Sequence, residues 1–422
     1  MKVCVSPFSI SGSIPAISSK SEAHRLLIAA ALSGGESVLA CRGTSNDIDA
    51  TAACLCAMGA DIVRGPGGFR MHGIREISSG QVVLPVGESG STYRFLAPVA
   101  AALGLSCEFE LAGRLPSRPM TELFNALRQH GAEITGEGTP RPRISGILQP
   151  GVYEIPGDVS SQYLSGLLFA LPLLNGGSRI HLTSPLASAG YVDMTLAALS
   201  AFGIQIVREG DDFPVPPSRY RAQMNVRAGG DWSNAAFFLA AAAVGGSVTL
   251  TELEANSLQG DRAILDILRA FGAKAEQSER SVSVSAAPLR GIDWNVSDVP
   301  DLVPAIAVAA VSAEGVTRLT GASRLAMKES DRLRGVTDIV NALGGCAECS
   351  ADEIRIRGTG GISGGAVSSI GDHRMAMMAS AMAVRSKGPV SVTGAEAVNK
   401  SYPGFYEDLA LLGAQVKCEE TT

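Results

Sequence analysis

The chain has 422 residues, of which 46% are hydrophobic and 18% are charged, and its formal net charge is −6. This length and apolar content predict a large core divided between two domains. The acidic balance, without a long Lys/Arg run, argues against nucleic acid as a partner. No apolar run reaches the ~18 residues that a membrane span needs.

The eight cysteines are scattered, and only Cys346 and Cys349 form a CxxC pair. Without a second pair or nearby histidines this motif does not predict a zinc site, so we expect no metal and no organic cofactor. Free cysteines indicate a reducing compartment. The first residues lack the long apolar stretch of a signal peptide. We therefore predict a cytoplasmic protein, and we expect it to act as a monomer.

A repeat of about 70 residues runs through the chain. In each repeat a predicted helix ends at a glycine and a short strand is predicted after it. The glycines follow one another at intervals of 69 to 72 residues: Gly59, Gly131, Gly203, Gly272, Gly344 and Gly413. Each lies where a helix end needs a left-handed residue.

A second series of helices alternates with the first and ends near Gly35, Gly104, Gly177, Gly246, Gly315 and Gly388. These segments are apolar nearly all round, as in FLAPVAAAL and AAFFLAAAAV. A helix without a polar face is buried inside its domain. Six units of two helices with strands between them therefore predict an α/β fold with three units in each domain.

Charged and hydroxyl residues cluster where the buried helices begin. Serine and aspartate are ordinary helix N-caps, but Lys20, Arg25 and Arg374 oppose the positive end of the helix dipole. A bound anion explains cations at such positions. If the helix starts converge, they form an anion-attracting cleft suited to a small, multiply charged substrate.

The stretch from Arg324 to Leu333 shows the same pattern. Leu333 and Val336 begin an apolar stripe of helical spacing, which predicts a helix whose first turn carries Lys328, Glu329, Asp331 and Arg332. Two interpretations remain open for these charges. They hold an anion, or they form a solvated helix start with one intrahelical ion pair.

Six segments together resemble the EPSP synthases, the 3-phosphoshikimate 1-carboxyvinyltransferase family of enolpyruvyl transferases. They are SKSEAHR, ESGSTYR, DVSSQY, MKESDR, GDHRMAM and NKSYPGF, and they follow the family order over nearly the whole chain. The resemblance implies a two-domain inverted α/β barrel of six βαβαββ repeats, three per domain, with buried helices. It also implies that residues 1–19 and 230–422 form one domain, that residues 20–229 are inserted as the other, and that the active site lies in the cleft between them.

The resemblance further implies a reaction in which phosphoenolpyruvate joins the 5-hydroxyl of 3-phosphoshikimate and phosphate is expelled. It assigns proton transfers to Asp301, Glu329 and Lys20, and it leaves open whether Lys20 or Lys400 assists the two carboxylates. The residues that it places around phosphoenolpyruvate are Lys20, Gly90, Arg118, Gln162, Arg332, Arg374 and Lys400. The residues that it places around 3-phosphoshikimate are Lys20, Ser21, Arg25, Ser160, Ser161, Gln162, Ser188, Tyr191, Asp301, Arg324 and Lys328. Glyphosate is expected to compete with phosphoenolpyruvate.

Two residues depart from the family pattern. Glu88 stands where many members have asparagine, and Arg324 stands where some members have asparagine. One alternative is the sister transferase that acts on UDP-N-acetylglucosamine, for which a Lys-Asn start and a loop cysteine are expected. Here the start is Lys20-Ser21 and the loop before Arg118 has no cysteine. The other alternative is an inactive scaffold that binds an anionic metabolite, against which the intact charged motifs argue.

Overall fold

The computed structural model describes residues 1–76 and 80–419. The chain divides into two compact units, an outer unit made of Met1–Ile17 with Gly229–Thr422 and an inserted unit made of Ser18–Ala228. Each unit has its own hydrophobic core. The outer unit begins with two strands, β1 (Lys2–Val5) and β2 (Ile10–Pro15).

The inserted unit is built from strands β3 to β13 and helices α1 to α6. Its strands are β3 (Glu36–Ala40), β4 (Asp61–Gly65), β5 (Gly68–His72), β6 (Val82–Gly87), β7 (Cys107–Leu111), β8 (Ala132–Thr135), β9 (Arg143–Gly146), β10 (Val152–Ile155), β11 (Ser178–Leu182), β12 (Asp212–Val215) and β13 (Val226–Arg227). Its helices are α1 (Lys20–Ala31), α2 (Asn46–Ala57), α3 (Gly90–Ala102), α4 (Thr121–Gln129), α5 (Ser161–Ala170) and α6 (Ala189–Ala201).

The rest of the outer unit follows the same alternation. Its strands are β14 (Gly246–Thr251), β15 (Lys274–Gln277), β16 (Ser281–Ser285), β17 (Asp293–Asn295), β18 (Val316–Thr320), β19 (Cys346–Cys349), β20 (Glu353–Arg357), β21 (Gly365–Ser368), β22 (Val390–Thr393) and β23 (Val416–Glu419). Its helices are α7 (Trp232–Gly245), α8 (Ile264–Phe271), α9 (Val303–Ala310), α10 (Arg332–Ala342), α11 (His373–Ala381) and α12 (Phe405–Leu411).

The described strands form three sheets in each unit. In the inserted unit the orders are β13-β3-β5-β4, β6-β7-β9-β8 and β10-β11-β12. In the outer unit they are β15-β16-β14-β2, β17-β18-β20-β19 and β21-β22-β1-β23. The second sheet of each unit is one unbroken βαβαββ repeat. The outer unit completes its other two sheets with β1 and β2, which precede the inserted unit.

The alternation of helices agrees with the sequence pattern. Nearly every residue of α1, α3, α5, α7, α9 and α11 is buried. The six repeat glycines that follow the other helices all have left-handed backbones, with φ between +85° and +106°. Within the described residues, no helix is both long and apolar enough to cross a membrane.

One predicted strand is wrong. The segment after Gly203 contains the buried residues Ile204 and Ile206 but forms no ladder with any strand within residues 1–76 and 80–419. It would be the next neighbour of β12, on the side away from β11. Pro214 within β12, and Pro216 and Pro217 just beyond it, have no N–H to donate. The third sheet of the inserted unit therefore has three strands where the others have four.

Candidate functional site

The outer unit holds a buried arginine surrounded by carboxylates. Arg332 opens α10 and is 1% exposed. Its Nε donates to Oδ2 of Asp372 at 2.7 Å and its Nη2 donates to Oδ1 at 3.1 Å. Nη1 donates to Asp301 at 2.8 Å, and Nη2 also reaches Glu329 at 2.7 Å. Burial disfavours the cation, but the three carboxylates outweigh it and hold the pKa of Arg332 above its ordinary value.

Two further cations, Lys328 and Arg374, lie close to Asp301. Lys328 Nζ lies 3.2 Å from its Oδ1, and Arg374 Nη2 lies 3.7 Å from its Oδ2. Burial alone would raise the pKa of Asp301, yet Lys328, Arg374 and Arg332 hold it well below the usual value. Burial also lowers the pKa of Lys328. We call Asp301, Lys328, Glu329, Arg332, Asp372 and Arg374 the carboxylate–arginine cluster.

The predicted first turn of the helix in this region is wrong. The helix α10 begins at Arg332, and Lys328 and Glu329 lie before it. Asp331 is the N-cap, because its side chain accepts from the backbone N–H of Arg334 at 3.2 Å. The carboxylate of Glu329 reaches Arg332 from outside the helix. Of the two earlier interpretations, the solvated helix start is excluded by the burial of Arg332.

Two predicted site residues of the outer unit, Arg324 and Lys400, lie on 3₁₀ helices near the segments that carry the carboxylate–arginine cluster. Arg324 belongs to Ser323–Met327 and its Nη1 approaches the carbonyl oxygen of Ser297 at 3.5 Å. Lys400 is buried at the end of Ala395–Lys400. The next residue, Ser401, hydrogen-bonds through Oγ to Asn234 of α7 at 3.3 Å.

In the inserted unit, two arginines crowd the start of α3. A Cβ atom added to Gly90 would lie 2.7 Å from Arg118 Nη1 and 2.8 Å from Arg94 Nη1. Arg94 also donates to Gln162 Oε1 at 3.1 Å, and Gln162 donates to Ser91 Oγ at 2.9 Å. The structure thus brings the predicted residues Gly90, Arg118 and Gln162 together. Two guanidinium groups at a helix N-terminus suit an anion.

Arg25 has a different environment. It is 2% exposed, and its three nitrogens donate to Thr195 Oγ1 at 2.8 Å, the Ser21 carbonyl at 2.7 Å and the Tyr191 carbonyl at 2.9 Å. Burial lowers its pKa to about 10. Arg25 therefore links α1 to α6 through the backbone carbonyls of the predicted residues Ser21 and Tyr191. Ser188, just before α6, is buried and has a left-handed backbone with φ +57°.

Lys20 lies at the first position of α1, where its Nζ contacts Asp47 Oδ2 at 2.8 Å. The predicted Ser160 caps α5 by accepting from the backbone N–H of Gln162 at 3.3 Å, and Ser161 is buried at the first position of that helix. The hydroxyl of Ser160 thus contributes to the helix start that carries Gln162.

Sequence reasoning missed three charged residues that hold these groups. Asp372 lies in the motif GDHRMAM and Arg94 in the motif ESGSTYR, at or near the starts of buried helices. These positions could have identified both residues as candidates for the site. Asp47 carried no signal, because its contact with Lys20 joins two different helices.

A fourth missed residue, Asp261, is buried beside the cluster. Its Oδ1 has no hydrogen-bond partner among the described residues, while Ser233 Oγ donates to Oδ2. Burial and the charges of Asp301 and Asp231 raise its pKa to about 6, against the opposing effects of Arg374 and Ser233. The carboxylate of Asp261 is thus destabilised by its surroundings in its ionised form.

We predict that Asp261→Asn changes the pH dependence of stability. The folded protein binds a proton at Asp261 more tightly than the unfolded chain, so the wild type loses stability as pH rises from about 4 to about 6. The variant lacks this loss, and its stability relative to wild type should increase by roughly 2–3 kcal/mol across that window. Urea unfolding at pH 4 and pH 7 measures the difference. Asp266→Asn, at an exposed position of α8, is the control, and parallel curves for Asp261→Asn would contradict the prediction.

The fold is that of the enolpyruvyl transferases. An enolpyruvyl transferase from Streptomyces tendae superimposes with a TM-score of 0.79, covering 99% of this chain and 98% of that chain at 15% identity, which bears on the fold alone. An EPSP synthase from Acinetobacter baumannii gives a TM-score of 0.82 at 28% identity, covering 99% of this chain and 100% of that one. The predicted fold class, the two-domain inverted α/β barrel, is confirmed.

The chain belongs to the EPSP synthase family of transferases. The family model described as EPSP synthase (3-phosphoshikimate 1-carboxyvinyltransferase) matches residues 6–409. A 3-phosphoshikimate 1-carboxyvinyltransferase from Clostridium kluyveri is 37% identical over 418 residues, which cover 98% of each chain. The resemblance inferred from the six sequence segments is therefore confirmed.

Proposed function

We propose that the protein transfers the enolpyruvyl group of phosphoenolpyruvate to the 5-hydroxyl of 3-phosphoshikimate and releases phosphate, a step towards chorismate and the aromatic amino acids. The carboxylate–arginine cluster carries this proposal, in a chain that matches the EPSP synthase family over residues 6–409. The matching family model favours this acceptor over a UDP-amino sugar.

The reaction is an addition followed by an elimination. In the addition, the 5-hydroxyl gives up its proton and its oxygen bonds to C2 of phosphoenolpyruvate, while a proton joins C3 and the C2–C3 double bond becomes single, giving a tetrahedral intermediate. In the elimination, the bond from C2 to the phosphate oxygen breaks and a proton leaves C3. The addition needs a group near the hydroxyl to take its proton and a group near the methylene carbon to deliver one, and the elimination needs a group near the same carbon to remove that proton.

We assign these roles to the two carboxylates of the cluster, with Lys20 assisting. Asp301, whose pKa lies well below the usual value, is ionised at neutral pH and can accept a hydrogen bond from the hydroxyl. Glu329 exchanges a proton with the methylene carbon. Phosphoenolpyruvate contacts Lys20, Gly90, Arg118, Gln162, Arg332, Arg374 and Lys400. 3-Phosphoshikimate contacts Lys20, Ser21, Arg25, Ser160, Ser161, Gln162, Ser188, Tyr191, Asp301, Arg324 and Lys328.

These assignments draw on both units, so we propose that the outer and inserted units are the two domains of the enzyme and act jointly on one pair of substrates. We also propose that it works as a cytoplasmic monomer. No metal or organic cofactor enters the proposed chemistry, because arginine and lysine side chains supply the positive charge.

A phosphate-release assay tests the proposed reaction. We expect release from phosphoenolpyruvate only when 3-phosphoshikimate is present, with formation of the enolpyruvyl ether. UDP-N-acetylglucosamine serves as the rival acceptor in a parallel reaction. Release with the UDP-sugar alone, or with neither acceptor, would overturn the proposal.

We predict that Gly90→Ala weakens inhibition by glyphosate more than it raises the KM for phosphoenolpyruvate. The added methyl meets the ends of Arg118 and Arg94, and the longer ligand tolerates less displacement of these groups. Because a misplacement of about 1 Å can cost ~100-fold, we expect at least a ~10-fold rise in the inhibition constant.

The matched control is Gly177→Ala, since a Cβ atom at Gly177 would meet no atom of the described part of the chain within 4 Å. Both constants should stay at their wild-type values in that variant. Equal losses for glyphosate and phosphoenolpyruvate in Gly90→Ala would refute the argument from ligand length.

A further inference from the structure

The turn that connects β21 to α11 contains an isoleucine in an unfavourable backbone conformation. Ile370 has φ +50°, and the following Gly371 has φ +71°. A left-handed backbone is exceptional for a β-branched residue, and such residues concentrate at functional sites. The side chain is 47% exposed, so burial in the core does not account for isoleucine at this position.

Hydrogen bonds hold the turn in this conformation. The N–H of Ile370 donates to Ser368 Oγ at 3.1 Å, and Ser369 Oγ donates to the Gly394 carbonyl at 2.7 Å. The N–H of Asp372 donates to the Ser369 carbonyl at 2.9 Å. The same turn therefore fixes the backbone of Ile370 and of Asp372, the carboxylate that receives two hydrogen bonds from Arg332.

The side chain of Ile370 lies against α10 at a glycine. A Cβ atom added to Gly335 would be 2.8 Å from Ile370 Cδ1 and 3.2 Å from Met375 Sδ. Gly335 is three residues beyond Arg332, within the first turn of α10. The turn thus contacts this helix at two places. Asp372 accepts hydrogen bonds from Arg332, and Ile370 packs against the helix at Gly335, which has no side chain.

We propose that Ile370 is a positioning residue that sets the distance between α10 and the 368–372 turn, and so keeps Arg332 in register with both oxygens of Asp372. The left-handed backbone and the contact with Gly335 occur at the same residue. The inference rests on the proposed function, in which Arg332 binds phosphoenolpyruvate. A shift of α10 then raises the KM for phosphoenolpyruvate more than the KM for 3-phosphoshikimate, whose assigned residues lie mostly in the inserted unit.

A double-mutant cycle between positions 335 and 370 tests the contact. Gly335→Ala introduces a methyl group against Ile370 Cδ1, and we expect the KM for phosphoenolpyruvate to rise ~10-fold. Ile370→Ala removes Cδ1, so the double variant Gly335→Ala/Ile370→Ala should return to within ~2-fold of Ile370→Ala alone. A double variant as impaired as Gly335→Ala, or no effect of Gly335→Ala, overturns the proposal.

The variant Ile370→Asn tests whether Ile370 affects substrate binding separately from folding, and it leaves the sequence of α10 unchanged. Asparagine tolerates a left-handed backbone, so the Tm should stay equal or rise while the KM for phosphoenolpyruvate rises at least ~5-fold. A lower Tm with an unchanged KM would show a purely structural role and overturn the proposal.

Arg332→Lys distinguishes a failure of the role proposed for Arg332 from a failure of the positioning role proposed for Ile370. If Arg332→Lys leaves the KM for phosphoenolpyruvate unchanged, the role proposed for Arg332 is wrong, and the inference about Ile370 falls with it. If Arg332→Lys raises this KM but Ile370→Asn does not, only the positioning inference is wrong.

Discussion

Arg332→Ala is expected to lower the free energy of unfolding by about 3–5 kcal/mol, the usual cost of removing one partner from a buried ionic group. The variant leaves the buried Asp372 and the partly buried Asp301 and Glu329 without the guanidinium that contacts all three. Turnover should fall by ~10²–10³-fold, a typical effect of losing a charge-stabilising donor. Urea unfolding and the phosphate-release assay measure the two effects.

The same helix offers the control. Arg334 is two residues further on, its side chain is 79% exposed, and its Nε lies 3.7 Å from Asp331. Such a surface pair contributes at most about 1 kcal/mol, so Arg334→Ala should leave stability and turnover nearly unchanged. If Arg332→Ala and Arg334→Ala lose similar stability, the burial argument for the cluster is wrong.

The second large effect is expected from Glu329→Gln, which keeps the size of the side chain but removes the group proposed to transfer the carbon proton. We predict a loss of ~100-fold or more in turnover, the usual contribution of a general acid. Binding of 3-phosphoshikimate should remain near normal. Solvent deuterium should enter the methylene group of phosphoenolpyruvate during wild-type turnover if addition is reversible, and this exchange should disappear in the variant.

Asp301→Asn provides the comparison, because it should also be slow but through the hydroxyl rather than the methylene carbon. Exchange and turnover near the wild-type rate in Glu329→Gln would exclude Glu329 as the carbon acid. Lys20 or Lys400 would then become the better candidate for that proton.

The repeat and the buried helices could be predicted because both are local properties of the sequence. A helix that is apolar all round can only be buried, and a glycine at the end of the next helix, such as Gly59 or Gly413, marks a left-handed cap. The positions of Lys20, Arg25 and Arg374 at helix starts indicated an anion, because a cation there opposes the helix dipole. Other charged candidates, such as Arg118 and Lys400, were assigned only through the family resemblance.

The missed features depend on contacts between distant segments. The start of α10 at Arg332 follows from the Asp331 cap and from carboxylates contributed by Asp301 and Asp372, about 30 and 40 residues away along the chain. The pairing of β13 with β3 joins the two ends of the inserted unit. Spacing within one segment carries no information about such partners.

The placement of β1 and β2 has a consequence for biosynthesis. The ribosome makes both strands before the inserted unit, yet β2 pairs with β14, some 230 residues later, and β1 lies between β22 and β23. The inserted unit is contiguous, so its core can form while translation continues at ~5–20 residues per second. Both edges of β1 stay unpaired until β22 has left the exit tunnel, and the outer unit can close only after β23 has followed. We expect nascent chains arrested before residue 389 to need chaperones for that strand, while their inserted unit is already protease-resistant.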